Sequence, residues 1–438
     1  MNASPARKTW AVGDFMTGFI AKSRRLIGAG VLLASCSAAT IAHAGGFAVR
    51  EQSTTLLGVA FAGAAAGVDL SSAYWNPAAF SIAQPGLSTQ SSYTAIFADT
   101  ELTGVPTAGG VPFAAPDSTN IDKIGVLSAS NAAYRISDKV VFGVNINAPF
   151  GLATEADNEA YNGRFQGYAA SMMTINVNPS ASYEVMPGLS VGAGLQIEYM
   201  QLKLWQAAAL GGAPPALVET NTSIKAEDDA AIGFTLGALW KPVAGTSVGV
   251  GFRSSMVHEL EGKFNLPVLP SRIPTKAKLE TPEILTVSLM QNLAPNMRVM
   301  GTFEWTNWSR VDVVTVPLGI LGNGELDANW EDGYFVSGGL EYDVNNQFTL
   351  RGGVAWEKSP IREASQRLIV LPDTDRVWLS AGVSYRYSES TTLDLGYSHI
   401  FFEDGDVSRG TLRPSPLRYE GSVENSADII SLGMRTRW

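Results

Sequence analysis

The feature that most constrains the fold is a two-residue alternation that recurs along most of the chain. From Leu189 to Tyr199 the odd positions are mainly apolar or aromatic and the even positions small or polar, and a similar two-faced pattern runs from Arg376 to Tyr387. Successive side chains of a strand point to opposite faces, so the alternation predicts an all-β chain. It fits a soluble sandwich with an apolar core, and equally a membrane barrel with an apolar lipid face.

The lengths of the strands and of their connections favour the barrel. Soluble strands average about 5–6 residues, whereas membrane strands need roughly 9–11. Tight turns alternate with much longer connections, as in outer-membrane barrels, and an even strand number closes a barrel without an exposed edge. We therefore predict a 14-stranded antiparallel transmembrane β-barrel over residues 87–438. Its strands lie near residues 87–98, 122–135, 139–150, 170–185, 188–206, 228–242, 245–262, 276–293, 296–310, 330–344, 346–358, 374–387, 390–403 and 426–438.

The first 44 residues have the layout of a cleaved secretory signal. Basic side chains precede an apolar stretch from Leu26 to Ala42, and Ala42-His43-Ala44 supplies the small-residue cleavage site. We expect the mature chain to begin at Gly45. The alternative is lipidation at Cys36, which follows Leu33-Ala34-Ser35. Cys36 is the single cysteine of the sequence, so cleavage after Ala44 leaves no thiol for disulfide or cysteine chemistry.

Charge and hydropathy exclude two classes of protein. Removing the leader, with five basic and one acidic side chains, takes the formal net charge from −10 to −14. A chain this acidic is not expected to bind nucleic acid. Beyond the leader no run of about 18 apolar residues occurs, so the sequence predicts no transmembrane helix. If the chain spans a membrane, it does so with strands.

The segment from residue 45 to 86 does not follow the strand pattern. It is rich in Gly and Ala from Leu56 to Gly67 and ends in Tyr74-Trp75-Asn76-Pro77-Ala78. Small residues allow backbones to approach closely, so we predict a hatch that plugs the barrel lumen. The alternative is a disordered periplasmic arm, but the low charge and high apolar content oppose disorder.

The C-terminal strand carries an assembly signal. Ile430, Leu432, Met434 and Thr436 alternate towards a terminal Trp438. This is the form of signal that outer-membrane barrels present to the barrel-assembly machinery. We expect a monomeric barrel in the outer membrane of a Gram-negative bacterium, in contact with outer-membrane lipid and lipopolysaccharide.

Five motifs, in one order along the whole mature chain, carry a specific resemblance. They are Gly45-Gly46-Phe47, Asn76-Pro77-Ala78, Pro149-Phe150-Gly151-Leu152-Ala153-Thr154, Thr306-Asn307-Trp308-Ser309 and Leu371-Pro372-Asp373-Thr374-Asp375-Arg376. With them the chain resembles the FadL/TodX family of outer-membrane transporters for hydrophobic compounds. The resemblance implies a 14-stranded barrel, an N-terminal hatch, capture of a hydrophobic small molecule at the outside and its lateral exit through the wall.

The resemblance also assigns residues to the route. The substrate-binding candidates are Gly45, Gly46, Phe47 and Glu51, for which a frayed terminus is the competing interpretation. Asn76 and Pro77 are expected to tie the hatch to the wall, or else to form an ordinary turn. Pro lacks a ladder N–H and Gly tolerates unusual dihedrals, so a lateral opening is expected where the third strand breaks; the plain alternative is a strand end. The residues of this opening are Asn147, Ala148, Pro149, Phe150, Gly151 and Leu152.

Charged residues are expected at the mouth and in the lumen. Asp373, Asp375 and Arg376 form a cluster at the external mouth or in the upper lumen. The alternation predicts that further charged residues face inward, mostly as paired scaffolding: Glu198, Glu304, Arg351, Glu357, Arg386, Arg435 and Arg437.

The resemblance also bears on the substrate. Members of the family that carry fatty acids have a basic side chain for the carboxylate near the end of the fifth strand. Gln206 stands there and Lys203 has the other parity, which favours neutral aromatic hydrocarbons over fatty acids.

No catalytic, metal or cofactor site is predicted. Only His258 and His399 follow the leader, and His399 shares parity with lipid-facing residues. Trp240, Trp305, Trp308 and Trp356, near strand ends, are assigned to interfacial girdles. Two alternative functions remain. A general diffusion porin should lack a plug, and an outer-membrane hydrolase would need a serine beside one of the two histidines.

Overall fold

The computed structural model describes residues 45–438 except 122, 212–213, 215–216, 319–321 and 413–414. The predicted signal peptide and Cys36 lie outside the described residues. One α-helix, α1, spans Thr54–Leu57, and 3-10 helices span Leu70–Tyr74, Pro77–Ile82 and Trp308–Arg310. Among the described residues no helix is long and apolar enough to cross a membrane.

Twenty-two strands make up the rest of the described regular structure. In chain order they are β1 Gly86–Ala108, β2 Val111–Pro112, β3 Asp117–Asn120, β4 Gly125–Arg135, β5 Val140–Asn147, β6 Gly151–Glu155, β7 Ala169–Met186, β8 Leu189–Gly211, β9 Val218–Trp240, β10 Thr246–Arg253, β11 Met256–Asn265, β12 Ile273–Thr281, β13 Ile284–Ala294, β14 Met297–Thr306, β15 Val313–Pro317, β16 Asn323–Asp327, β17 Gly333–Asp343, β18 Phe348–Lys358, β19 Arg376–Arg386, β20 Thr391–Phe402, β21 Gly405–Gly410 and β22 Leu417–Arg437.

Antiparallel pairing joins fourteen of these strands into a closed ring. The order is β1, β4, β5, β7, β8, β9, β10, β13, β14, β17, β18, β19, β20 and β22, and β22 pairs back onto β1 from Ser88 to Ala108. The predicted 14-stranded antiparallel barrel is confirmed. Closure gives every strand of the ring a neighbour on both sides.

The alternation along the strands separates two faces of the wall. Large apolar side chains on the outer face are exposed, for example Val191, Leu195 and Ile197 on β8 and Phe234 on β9. The opposite parity carries small and polar residues. An exposed apolar belt on a closed barrel is what lipid contact requires, so the membrane interpretation of the alternation applies.

Three strand predictions need correction. The strand predicted over 139–150 ends at Asn147 and resumes as β6, while those predicted over 245–262 and 276–293 are interrupted at residues 254–255 and 282–283. At each of the latter two breaks the inward parity reverses; Arg253 and His258, on either side of the first break, are both buried. An extra residue in a ladder forms a bulge, which shifts every later side chain to the other face.

Connections at one end of the barrel are tight turns, and those at the other end are long. We call these the short-turn end and the long-loop end. At the long-loop end, β1, β8, β9 and β22 extend beyond their neighbours, and the hairpin β15–β16 lies within the connection from β14 to β17. The sequence had not predicted this hairpin.

The N-terminal segment, residues 45–85, lies inside the ring. Ten barrel strands hydrogen-bond to it, through Ser92, Arg135, Asn145, Ser182, Ala238, Ser247, Ser288, Thr302, Glu357 and Ser431. The other four meet it by packing, through Gly192, Phe335, Trp378 and Gly396. A segment touched by all fourteen strands of a closed barrel occupies its lumen.

Glycine on the inner wall permits this filling. A β-carbon on Gly249 would lie 1.8 Å from the carbonyl oxygen of Ala65, and one on Gly251 would lie 1.8 Å from that of Trp75. No side chain fits at such distances, so these strand positions require Gly to let the segment's backbone approach.

Candidate functional site

The wall is interrupted between β4 and β6. β4 pairs with β5 only from Ser130 to Arg135, and β6 pairs only with β7. Residues 125–129 of β4 therefore have no ladder partner on that side among the described residues. On the long-loop side of the interruption the two parts of the wall meet again, because the amide of Glu155 donates to the carbonyl of Ile121 at 3.3 Å. The result is a side window in the wall between β4 and β6.

The N-terminal segment is hydrogen-bonded to the strand break from inside. The Val49 amide donates to the Pro149 carbonyl at 2.8 Å, and the Gly151 amide donates to the Phe47 carbonyl at 2.9 Å. Gln52 Nε2 donates to the carbonyl of Ala148 at 2.8 Å. The segment thus supplies the break with backbone partners that the neighbouring strand does not supply. The predicted substrate-contact residues and the predicted opening form one site.

Phe47 fills an aromatic cage beside this break. Its ring centroid lies 4.8 Å from that of Trp308 and 5.7 Å from those of Phe150 and Trp330, and the side chain is 4% exposed. Leu152 and Leu371 belong to the same apolar cluster. Edge-to-face contacts such as Phe47–Trp308 are a preferred geometry for aromatic pairs. The cage accepts a phenyl ring.

Gly46 is required to bring Phe47 into the cage. Its φ is +64°, and an added β-carbon would lie 3.0 to 3.1 Å from the rings of Trp308 and Trp330. Both the left-handed backbone and the close approach favour Gly. Residues 45–47 do not form a frayed terminus in the structure, because Gly45, Gly46 and Phe47 are all buried.

Buried charges hold the start of the segment. The Gly45 amide donates to Glu357 Oε1 at 3.1 Å, and the Gly46 amide donates to Asp373 Oδ2 at 3.0 Å. Arg376 pairs with both carboxylates, Glu357 at 3.5 Å and Asp373 more closely. The predicted mouth cluster is therefore in direct contact with the predicted substrate residues. Asp375 lies beside it and pairs with Arg362 at 2.6 Å.

Arg50 connects the segment to two further strands. Its guanidinium lies 2.6 Å from Glu304 Oε1 and 3.2 Å from Glu357 Oε1, and its carbon Cζ stands 3.8 Å above the ring of Phe335. A buried ion pair is costly to break because it leaves an uncompensated charge. The pairs of Arg50 and Arg376 thus position the segment in one arrangement.

Glu51 and Asn147 are buried polar side chains without partners among the described residues. Both carboxylate oxygens of Glu51 and both amide atoms of Asn147 lack hydrogen bonds. Burial raises the pKa of the Glu51 carboxyl to about 7. Unsatisfied buried groups cost about 1–3 kcal/mol each, so they weaken the docked arrangement of the segment.

Asn76 and Pro77 join the far end of the segment to the wall. Asn76 Nδ2 donates to the carbonyls of Ala65 and Ala238 at 2.8 and 2.9 Å, while its Oδ1 accepts from the Ala78 amide at 3.0 Å. Pro77 follows Asn76 as the first residue of a 3-10 helix. An N-cap Asn and a Pro at the first helical position are both favoured there.

The described residues line a small cavity beside the cage and larger cavities elsewhere in the barrel. The cavity beside Arg50, Trp308 and Glu357 measures about 30 Å³, whereas cavities that hold benzene measure about 150 Å³. Towards the short-turn end lie larger, polar cavities of about 290 and 880 Å³. The charges lining these two cavities are Arg298, Glu341, Asp343, Arg351, Arg386, Glu389, Arg435 and Arg437.

The remaining predicted residues lie away from the break. Gln206 is on β8, where its carbonyl accepts from Thr222 Oγ1 at 3.1 Å. His258 is buried between Glu198 at 3.2 Å and Asp228 at 3.1 Å, and His399 contacts Asp428 on the outer face at 2.8 Å. Within the described chain no serine is hydrogen-bonded to either histidine, and no group of His, Cys, Asp and Glu has the arrangement of a metal site.

The assignment of Trp308 to an interfacial girdle is wrong. It is 1% exposed and lies in the cage. Trp308 has an even position number, like the inward-facing Thr302 and Glu304 of β14. The side-chain alternation therefore already indicated that Trp308 faces inward. Trp330, in contrast, sits between β16 and β17 in a stretch without periodicity, and only the fold brings it to the cage. Trp240 and Trp356 are exposed, as a girdle requires.

Comparison with known proteins places the chain among transport proteins. The family model described as "Outer membrane protein transport protein (OMPP1/FadL/TodX)" matches residues 35–438. A putative outer membrane protein of Neisseria meningitidis is 26% identical over 461 residues, covering 92% of this chain and 96% of its own length. A long-chain fatty acid transport protein of Escherichia coli is 27% identical over 400 residues, covering 82% and 88%.

Solved structures share the fold. A Pseudomonas aeruginosa FadL homologue superimposes with a TM-score of 0.81 at 21% identity, covering 89% of this chain and 99% of its own. The Pseudomonas putida toluene transporter TodX gives a TM-score of 0.67 at 15% identity, covering 90% and 100%. At these identities the likeness concerns the fold alone.

Proposed function

Because the chain belongs to the OMPP1/FadL/TodX family of outer-membrane transport proteins for hydrophobic compounds, we propose that it releases its substrate sideways into the membrane. A hydrophobic small molecule is captured at the long-loop end, enters the cage that Phe47 occupies, and leaves through the side window between β4 and β6. Entry into hydrocarbon is favourable for an apolar solute, whereas an aqueous pore is not.

The observation that carries this proposal is the hydrogen bonding of the segment to the strand break. Phe47 and Val49 bond to Pro149 and Gly151, and the Phe47 ring fills the cage next to them. A ligand that takes the place of the ring therefore also removes the inner partners of the break. Binding and opening are coupled because the same three residues, 47 to 49, serve both.

The polar short-turn end supports a lateral rather than a straight route. Charges line the cavities beneath the segment, and several are paired between neighbouring strands of the wall, as in Arg351–Glu341 at 2.6 Å and Arg435–Asp394 at 2.7 Å. An apolar solute gains nothing from entering such a space. With short turns at the periplasmic side, these cavities face the periplasm.

The cage supports an uncharged aromatic substrate more than a fatty acid. The nearest cations, Arg50 and Arg376, each already pair with two carboxylates. A fatty-acid carboxylate next to them would have to displace one of these buried partners. We therefore favour small neutral aromatic hydrocarbons, with long-chain fatty acids as the alternative class.

Processing and assembly belong to the same proposal. The mature chain begins at Gly45, the segment acts as a hatch, and the barrel works as a monomer without cofactor or catalysis. Trp438 pairs with β1, its amide donating to Leu87 at 2.9 Å, while its side chain is exposed. This exposure supports recognition by the barrel-assembly machinery. A porin function is disfavoured by the filled lumen.

A disulfide between the segment and the break tests the route. A β-carbon at residue 151 would lie 3.2 Å from Cγ2 of Val49, which suits a Val49→Cys/Gly151→Cys pair. The oxidised double variant should stop toluene uptake by cells that depend on this barrel, and reduction should restore it. Each single variant is the matched control. Parental uptake by the oxidised protein would overturn lateral exit coupled to the segment.

A further inference from the structure

Three lysines stand in a row across neighbouring strands at the long-loop end. Lys203 on β8 is directly opposite Lys225 on β9, and Lys225 is directly opposite Lys263 on β11. Directly opposed residues hold their β-carbons about 4.5–5.5 Å apart, and like charges in such positions are destabilising. The fold therefore accepts two unfavourable lysine pairs side by side. We call these residues the lysine row.

No carboxylate among the described residues forms an ion pair with the row. Glu227 accepts from Tyr199 and Gln201, and Glu261 pairs with Lys276. None of the three lysines forms an ion pair with any carboxylate that the structure describes. Five of the nine lysines after residue 44 are on β8, β9, β11 and β12, in a chain whose net charge is negative: Lys203, Lys225, Lys263, Lys276 and Lys278.

The row lies on the outer face, just beyond the lipid-facing belt. On β8 it follows the exposed Ile197 by six residues, and on β11 it follows the exposed Val257 by six residues, with the same outward parity. Six residues of a tilted strand rise roughly 15 Å along the barrel axis. That height is the charged saccharide layer that borders the hydrocarbon on the outer surface.

The row also lines a concavity. A cleft of about 990 Å³ includes all three lysines together with Arg272 and Lys276. Among its described lining residues the carboxylates are Glu227, which accepts from two uncharged donors, and Glu261, which pairs with Lys276. Five cations against two carboxylates leave this cleft at the membrane border with a net positive charge, which suits an anionic headgroup.

We propose that the lysine row binds the phosphate groups of lipopolysaccharide, at its lipid A end. A phosphate monoester carries a charge of about −1.5 to −2 near neutral pH and accepts hydrogen bonds through three oxygens. One phosphate therefore bridges two neighbouring lysines and removes the repulsion between them. A single fatty-acid carboxylate neutralises less of the row, so phosphate is the better match.

The test compares lipid binding by purified, full-length barrels in detergent. The parental protein is set against the triple variant Lys203→Gln/Lys225→Gln/Lys263→Gln. Its control, Lys123→Gln/Lys139→Gln/Lys241→Gln, changes the net charge equally at other sites. The probes are bisphosphorylated lipid A, its dephosphorylated form, dodecanoate and inorganic phosphate, with dissociation constants measured by native mass spectrometry. Heat modifiability on gels verifies that each barrel is folded.

We expect the parental and control proteins to bind lipid A at least tenfold more tightly than its dephosphorylated form. The row variant should lose at least tenfold in lipid A affinity, and lipid A should raise the unfolding temperature of the parental and control barrels but not that of the row variant. Equal lipid A affinity in a folded row variant would overturn the proposal. So would a loss confined to dodecanoate, which would make the cleft a ligand-capture site, or binding of inorganic phosphate as tight as that of lipid A.

Discussion

Phe47 acts at the scale of a single residue as an internal occupant of the cage. Replacing it by Ala removes a buried aromatic side chain, which generally costs about 3–5 kcal/mol. In this barrel the substitution destabilises the docked arrangement of the segment, and it also leaves the cage empty. We expect Phe47→Ala to bind toluene roughly tenfold more tightly than the parental barrel, as measured by calorimetry.

Phe80 provides the matched control for this substitution. It is equally buried in the same segment, but it packs against Ala133 and Val141, far from the cage. Phe80→Ala should weaken the segment without improving toluene binding. Equal toluene affinities in the Phe47 variant and the parental protein would mean that ring and ligand do not share the cage.

Glu51 gives the docked segment a pH dependence. Burial raises the pKa of its carboxyl from 4.5 to about 7. The pKa is about 7 when the segment is docked and 4.5 when the carboxyl is free in water. The docked arrangement therefore has its full stability below about pH 4.5 and loses stability as the pH rises through 7. The loss amounts to roughly 3 kcal/mol, since one pKa unit is 1.36 kcal/mol. The segment should therefore leave the break more readily at pH 8 than at pH 5.

A cysteine label measures this effect. In a Val49→Cys barrel, maleimide should react faster as the pH rises, and part of that increase belongs to the thiol itself. The same cysteine in a Glu51→Gln background corrects for the thiol. We expect the ratio of the two rates to grow about tenfold or more from pH 5.5 to 8.5. A ratio that stays constant would exclude ionisation of Glu51 as the cause.

At the scale of elements, the break between β5 and β6 is expected to be the exit. Replacing Pro149 to Leu152 with an alternating Thr/Val run restores the missing N–H and lets the strand pair with residues 125–129 of β4. Uptake of toluene by whole cells should then fall at least tenfold while the barrel still assembles. Val/Thr replacements at residues 254–255 are the control, because they alter a different strand interruption, just after the last β9–β10 pair, that does not take part in the segment's hydrogen bonds to the break. Parental uptake by a folded Pro149–Leu152 replacement would point to a path through the displaced hatch.

How far the sequence predicts these elements depends on periodicity. The fourteen strands and their two faces follow from side-chain alternation, which is a local property. The interruptions at 254–255 and 282–283 do not follow from it. One extra residue reverses which positions face inward, yet the two apolar runs on either side of it still resemble one continuous strand. Pro149 and Gly151 indicated a break from their own chemistry.

The candidate site was predictable only in pieces. Residues 45–47, 147–152 and 373–376 were each singled out, yet nothing local joins Gly46 to Asp373, which are 327 positions apart. Trp308 carried the inward parity of β14, whereas Trp330 lies in an irregular loop. Side chains that meet through the closure of a barrel leave no trace in sequence spacing.

At the scale of the whole molecule, the barrel and the segment inside it have separate sources of stability. The ring is closed by backbone pairing between all fourteen neighbouring strands. The segment is held by hydrogen bonds and packing from those same strands, without contributing a ladder of its own to the ring. Its removal exposes polar and small residues that water can solvate, such as Ser247, Ser288 and Thr302.

Deleting residues 48–83 should therefore leave a folded barrel with an open lumen. We expect the deletion variant to keep its heat-modifiable migration and to unfold at a lower temperature, since the buried pairs of Arg50 are lost. Liposomes carrying it should swell in small sugars such as arabinose, whereas liposomes with the parental barrel should not. The oxidised Val49→Cys/Gly151→Cys barrel, which retains the segment, is the closed control. If the deletion variant folds and stays impermeable to arabinose, another part of the chain closes the lumen, and the segment's contacts with all fourteen strands serve stability rather than closure.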